Sequence, residues 1–411
     1  MPTAFVLPES LAGWRTSASH WESLSAATAS IDPPLAVLSL PALAANARML
    51  RERAAGTRIR VASKSLRVRS ALESVLAQPG FEGVLAYTLA EALWLSRTSG
   101  IDDIVVGYPT ADRASLRALF DDADASRRIT LMVDSVEHLD LVDAVAAPMN
   151  RPPVRVCLEL DASWDSRLLG HVGTWRSPVH TVEQARTLAE QIARRPGFAL
   201  VGMMAYEGQL AGVADDSGPA GGAVIRWMKR RSAAELAERR ALAVAAVRGV
   251  AELEFVNGGG TGSLETTTAD DSVTEVAAGS GLFGPHLFDH YRSFSPAPAA
   301  VFALPVVRKP RPHLATLLGG GWVASGPPGA DRLPVAVWPE GLRMLPREMA
   351  GEVQTPLAGP GAAALAVGDR VWLRHAKAGE LAEHVNDFVL VDGAEVVGTV
   401  PSYRGEGMAF L

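Results

Sequence analysis

Four lysines, Lys64, Lys229, Lys309 and Lys377, occur in a chain with 39 Lys plus Arg, so arginine supplies nearly all the positive charge and each lysine asks for a reason. Lys229 stands in Arg-Trp-Met-Lys-Arg-Arg and Lys309 in Arg-Lys-Pro-Arg, and both runs read as solvated basic surface. Lys64 is different: it ends the apolar run Ile59-Arg60-Val61-Ala62-Ser63, where a strand opens into a loop. A desolvated amine there can lose its proton and attack a carbonyl. A second signal is Asn257-Gly258-Gly259-Gly260-Thr261-Gly262-Ser263. Glycines let backbone N–H groups converge on an anion, and the threonine hydroxyl adds a further bond. Ala278-Gly279-Ser280-Gly281 supplies a second rim. Taken singly, Lys64 is better read as a strand-end surface charge, and the glycine run is as readily a flexible turn. The glycine run is not a dinucleotide fingerprint, because the Gly-x-Gly-x-x-Gly spacing followed by an acidic residue is not met.

Three further places carry side chains able to do chemistry. Tyr206, in Met204-Ala205-Tyr206-Glu207-Gly208, can flank a planar ring or move a proton, and is otherwise a half-buried tyrosine at a rim. His171 lies between Gly170 and Val172 in a loop, where an isolated histidine is more often a plain polar residue. In Arg374-His375-Ala376-Lys377 a histidine and a lysine stand two apart, which at a strand end would put them on one face, with Glu380 and His384 nearby in sequence. A metal site would want an acceptor at 377, and a protonated lysine is a poor one. The single cysteine, Cys157, falls in the apolar run Val154 to Leu160 and reads as core; no internal disulfide is possible.

These residues need elements to hold them. Short β-rich runs at 36–40, 59–62, 83–88, 104–108, 130–133, 154–160, 199–205 and 253–256 alternate with helical periodicity at 41–53, 68–77, 89–99, 111–120, 136–146, 182–194 and 232–247. Eight strands alternating with helices predict a TIM-like (β/α)8 barrel, with an open doubly wound sheet as the alternative. Chemistry in such a barrel belongs at the C-terminal ends of strands, which is where Lys64, after the second run, and the glycine loop, after the eighth, would fall. After about Ser293 prolines cluster and short Val/Leu runs separated by glycine take over, predicting a mostly β second domain. The organisation expected is an arm over 1–33 containing Trp14 and Trp21 and packing on the C-terminal domain, a barrel over 34–293, and a β domain over 294–411.

Composition closes off other classes. A net charge of −6 and a pI near 5.9, without a basic stripe interleaved with aromatics, speak against nucleic acid as a partner. No apolar run approaches a membrane span and the N-terminal residues lack a charged segment followed by a long apolar one, so the expectation is a cytoplasmic protein without a membrane partner.

A lysine after an early strand, a glycine-rich anion loop after a late one and a following β domain resemble the alanine-racemase-like fold (fold type III) of pyridoxal 5'-phosphate enzymes. More narrowly, Tyr206-Glu207-Gly208, Gly258-Gly259-Gly260-Thr261-Gly262 and the late His375 look like the D-threonine aldolase and D-serine dehydratase family, from about residue 34 onward. The resemblance implies Lys64 as the Schiff-base lysine, Gly260, Thr261, Gly279 and Ser280 around the phosphate, Tyr206 against the cofactor ring and His375 as a metal ligand. It also implies a homodimer. Two departures stand out. The family's second metal ligand, an acidic residue or cysteine two positions after the histidine, is Lys377 here, so a divalent metal is in question. Where family members often carry an arginine in the loop after strand six, this chain shows His171. The implied activity is a lyase on a small D-configured β-hydroxy amino acid, breaking Cα–Cβ (aldolase) or expelling the β-hydroxyl (dehydratase), with His375 suited to be a base and Lys377 an acid or a substitute for metal charge. The alternatives are an amino-acid racemase, a non-catalytic pyridoxal-phosphate carrier, and a sugar-phosphate aldolase on the same barrel.

Overall fold

The computed structural model describes residues 4–9, 16–216 and 218–411; Trp14 lies outside them. The chain forms two compact units, one from Leu50–Lys64, Leu76–Gly279 and Phe410–Leu411, the other from the described part of Met1–Met49, Ser65–Val75 and Ser280–Ala409.

The first unit is the expected (β/α)8 barrel. Its eight parallel strands run Arg58–Ala62, Phe81–Ala86, Ile104–Val106, Ile129–Val133, Val154–Glu159, Phe198–Ala205, Phe255–Gly258 and Glu275–Ala278, and the last pairs with the first through Glu275↔Arg58 and Ala278↔Val61 to close the ring. Helices form where apolar residues recur at helical spacing. Val182–Arg194 starts at a capping box of Thr181 and Gln184 and buries Ala185, Leu188, Ala189 and Ile192. Inside, Cys157 packs with Val105, Met132, Val201, Met204 and Phe255, the core position read from its sequence.

The barrel has the expected eight strands, but their membership is shifted by one. Leu35–Ser39 is a strand, but it belongs to the other unit; the eighth barrel strand is Glu275–Ala278, whose buried glutamate masked it. Glu275 is tolerated because Arg60, also wholly buried, donates to it at 2.7 and 3.0 Å and to Asp103 at 2.8 and 2.9 Å. Burial alone would discourage the Arg60 charge, but the two carboxylates outweigh it and hold its pKa above the usual range. Lys64 therefore follows the first barrel strand, the glycine loop the seventh, and Gly279 the eighth.

The second unit is built on a nine-stranded sheet. Leu35–Ser39 lies between antiparallel Ala300–Arg311 and parallel Asp387–Asp392, which is why all five of its residues are buried. The helix Ala18–Ala27 lays Trp21 and Leu24 on that sheet against Leu35, Val37, Val301 and Trp372, and the Trp372 indole donates to Ser25 Oγ at 2.8 Å. Two lysines read as solvated surface are more enclosed: Lys229 is half-buried with Asp215 3.9 Å away, and Lys309 Nζ donates to the Ala362 carbonyl. Among the described residues no helix is long and apolar enough to cross a membrane.

Candidate active site

Lys64 sits on the one-turn helix Ser63–Ser65 that directly succeeds the strand Arg58–Ala62, at the C-terminal rim of the barrel. Its side chain is exposed rather than desolvated. What meets the amine is a phenol: Nζ lies 2.5 Å from the Tyr108 hydroxyl. Tyr108 comes after the third barrel strand, and the guanidinium of Arg176 lies 5.4 Å from its ring centre and 4.8 Å from that of Tyr206. Burial pushes the Tyr108 phenol up, but the Lys64 ammonium, the hydrogen bond to it and the Arg176 charge outweigh burial, so its pKa lies below the usual value. Tyr206 goes the other way, raised by burial against the pull of Arg176. The two phenols thus differ in their hold on a proton while sharing one cation.

The anion loop leaves the strand Phe255–Gly258. Gly259 has φ +81°, open to glycine and strained for other residues. A Cβ on Gly260 would come within 2.9 Å of Ala211 Cβ and 3.4 Å of the Tyr206 ring, so the absence of side chains keeps the backbone close to Tyr206. Glu207, fully buried, accepts from Gly259 N–H at 2.9 Å and from the Thr267 hydroxyl, while Gly260 N–H donates to Ser263 Oγ at 3.2 Å.

Further titratable groups face the rim from the fifth barrel strand and the segment after it. Glu159 is raised to about 7, first by burial and then by Asp134 and Asp161, with Arg176 opposing. His171 lies on a small hairpin, Trp164–Ser166 with Gly170–Val172, stacked on Trp175 at 3.7 Å and 3.3 Å from Asp165. The arginine that His171 was expected to replace is thus present in the same loop, as Arg176. Sequence reasoning misses Tyr108 and Arg176. Tyr108 has a usable signal, a polar ring at the end of a predicted strand; Arg176 has none, being well beyond the strand in irregular chain.

The remaining predicted residues belong to the second unit. Ser280 opens the short helix Ser280–Phe283. His375 and Lys377 do not share a face, because the strand Arg370–Arg374 ends before them. His375 is buried, its pKa lowered to about 3 by burial with Arg374 and His286 adding, and neither ring nitrogen makes a well-formed hydrogen bond. Lys377 is exposed, with Nζ 2.9 Å from Ser325 Oγ, and its N–H donates to Glu380, whose carboxyl burial raises to about 7. His384 stacks on Trp322 at 4.8 Å. This surrounding does not fit a divalent cation: His375 has a guanidinium neighbour, position 377 is a cation, and no group of three His, Cys, Asp or Glu among the described residues is arranged to ligate one.

Comparison with known proteins agrees with this architecture. The family described as alanine racemase, N-terminal domain, matches residues 38–286. A 3-hydroxy-D-aspartate aldolase of Paracoccus denitrificans is 28% identical over 255 residues, 62% of this chain and 60% of that protein, so the matched stretch spans less than two thirds of that relative. Among solved structures, D-threonine aldolase from Filomicrobium marinum superposes with a TM-score of 0.76 at 20% identity, covering 93% of this chain and 97% of the other. D-threo-3-hydroxyaspartate dehydratase from Delftia sp. HT23 gives 0.71 at 20% identity, covering 90% and 97%. At that identity the superpositions show a shared fold, and the match over 38–286 shows the kinship: the chain belongs to the alanine racemase N-terminal domain family.

Proposed function

We propose that this chain is a pyridoxal 5'-phosphate-dependent lyase acting on a small D-configured β-hydroxy amino acid, by an aldolase or a dehydratase outcome. The observation that carries it is Lys64 at the barrel rim with its amine on the Tyr108 hydroxyl and the cation of Arg176 behind. The residues fit the cofactor. A primary amine is present for the Schiff base, Tyr206 and the side-chain-free Gly260 form a close-walled cradle, and Thr261 and Gly279 stand at the ends of adjacent strands for the phosphate. When bound, the cofactor supplies an electron sink for the pair left at the substrate Cα.

The protein's part is to move protons and choose the bond that breaks. The Tyr108 hydroxyl, held acidic by Lys64 and Arg176, exchanges a proton with Nζ at 2.5 Å and so readies the amine. Tyr206, raised by burial, stays protonated and serves as wall and donor. His171 lies on the same loop as Arg176 and is assigned a supporting place beside Asp165. His375 and Lys377 are kept as candidate catalytic groups, base and acid, by resemblance alone; burial lowers the His375 pKa to about 3, which makes it a weak base. From the resemblance we also propose a homodimer, to be checked by light scattering, and from the sequence pattern a cytoplasmic location, to be checked by cell fractionation.

The test is spectroscopic and kinetic. Protein reconstituted with pyridoxal 5'-phosphate should absorb in the visible and release an aldehyde or a 2-oxo acid from D-threonine, D-serine or D-3-hydroxyaspartate, and Lys64→Ala should lose both properties. Retention of bound chromophore and turnover by Lys64→Ala sinks the assignment, and interconversion of D- and L-alanine without cleavage would make the protein a racemase.

A further inference from the structure

The phosphate loop rests on a buried ionic foundation that the proposed chemistry does not use. Glu207 has no exposed surface, and both its oxygens serve the loop: Oε2 takes the Gly259 amide at 2.9 Å, and Oε1 takes the Thr267 hydroxyl. Thr267 Oγ1 is 3.2 Å from Ser263 Oγ, which in turn receives the Gly260 amide at 3.2 Å. Two consecutive glycine amides are therefore gathered, one directly and one through two hydroxyls, onto a single carboxylate. An isolated buried carboxylate would be expelled or protonated. Here Arg240, itself buried on the long helix Pro219–Arg248, places Nη1 3.6 Å from Glu207 Oε1 and is braced by Asp270, which accepts from its Nε at 2.8 Å. Arg240 Nη1 makes no hydrogen bond, and a Cβ on Gly258 would stand 2.9 Å from it, so the guanidinium reaches the underside of the glycine turn.

We infer that Glu207 and Arg240 are positioning residues for the cofactor phosphate: the carboxylate stands in as an internal anion that holds the glycine turn in its binding shape before phosphate arrives. The turn is shaped in advance, so ligand binding does not have to order it. The Gly259 amide, committed to Glu207, takes no part in holding phosphate, and that task falls to the backbone from Thr261 onward.

The inference rests on the proposed function for the identity of the phosphate, and the probes are chosen to separate the two. Pyridoxal 5'-phosphate, pyridoxal and inorganic phosphate are each titrated into cofactor-stripped wild type, Glu207→Gln and Arg240→Met. Both variants are expected to bind pyridoxal 5'-phosphate and inorganic phosphate ten- to a hundredfold more weakly, with pyridoxal, which has the aldehyde but no phosphate, unchanged within about threefold. Thr267→Val, which removes one of the two bonds to Glu207 and disturbs the fold least, should give a smaller loss with the same selectivity. Equal weakening of pyridoxal and pyridoxal 5'-phosphate marks a general structural role and overturns the inference, as does unchanged phosphate binding in all three variants. If wild type binds phosphate but forms no adduct with either aldehyde, the lyase assignment fails while the loop assignment stands.

Discussion

Glu275→Gln removes one charge from a place that water does not reach. Arg60 divides its fork between two carboxylates, at 2.7 and 3.0 Å to Glu275 and 2.8 and 2.9 Å to Asp103. Glu275 is wholly buried and also holds Arg58 at 2.7 Å and the Asn257 amide at 2.8 Å, whereas the Asp103 side chain is 42% exposed. Removing one member of a buried pair destabilises by about 3–5 kcal/mol, chiefly through the charge left unmatched. Asp103 keeps its two bonds to Arg60, so the low end, about 3 kcal/mol, is expected. In urea, with a slope of about 2–3 kcal/mol per molar, the midpoint should fall by roughly 1 M at unchanged slope. The double variant Arg60→Leu with Glu275→Leu tests the cause: it removes the buried unmatched guanidinium, and the two charges it frees, Asp103 at 42% and Arg58 at 32% side-chain exposure, reach water, so at least half of the loss should be recovered. A loss below about 1 kcal/mol for Glu275→Gln, or a double variant no more stable than the single, would refute the assignment of the cluster as the tie between the first and last barrel strands.

Three other outcomes are expected. Tyr108→Phe deletes a hydrogen bond to a charged amine, worth about 1.5–3 kcal/mol, and should lower turnover ten- to a hundredfold with little change in melting temperature; a loss under threefold removes Tyr108 from the chemistry. Glu159, raised by burial from 4.5 to about 7, stays protonated in the fold where the unfolded chain has already ionised, so its contribution falls as pH rises from about 4.5 to 7 and is flat above. Glu159→Gln should therefore match wild type near pH 4 and exceed its unfolding free energy at pH 8 by on the order of 3 kcal/mol; equal stability at both values refutes the burial. Dialysis against a chelator should leave turnover unchanged and elemental analysis should find no stoichiometric divalent metal, because a lysine stands two residues after His375; activity lost to the chelator and restored by a divalent cation would show the opposite.

The parts legible in the sequence are those written in local pattern. The helix Val182–Arg194 has its start, its apolar face and its end in consecutive residues, and periodicity places it to the residue. Lys64 and the glycine turn stand out because rarity and absence of side chains are visible in one dimension. The eighth barrel strand does not, because Glu275 reads as polar until Arg60, 215 residues earlier, is set beside it on the neighbouring first strand. Leu35–Ser39 reads as a strand but with the wrong neighbours, since an apolar run buried on both faces looks the same in a barrel and in a sheet. Arg176 is passed over in favour of His171 for a similar reason: loop residues carry no period, and only folding shows which of the two side chains reaches the tyrosines.

The placement of Leu35–Ser39 also has a consequence for how the chain is made. On the ribosome this segment emerges early, yet both strands that flank it, Ala300–Arg311 and Asp387–Asp392, are synthesised late. At about 5–20 residues per second the nascent chain carries an apolar strand with two unpaired edges for on the order of ten to fifty seconds, while the barrel strands are completed in between. The vulnerable moment in the life of this protein is therefore during translation. A nonsense or frameshift product that ends between Arg311 and Asp387 would keep all eight barrel strands and present an open strand edge to its neighbours, a product expected to aggregate rather than to act as a shorter enzyme.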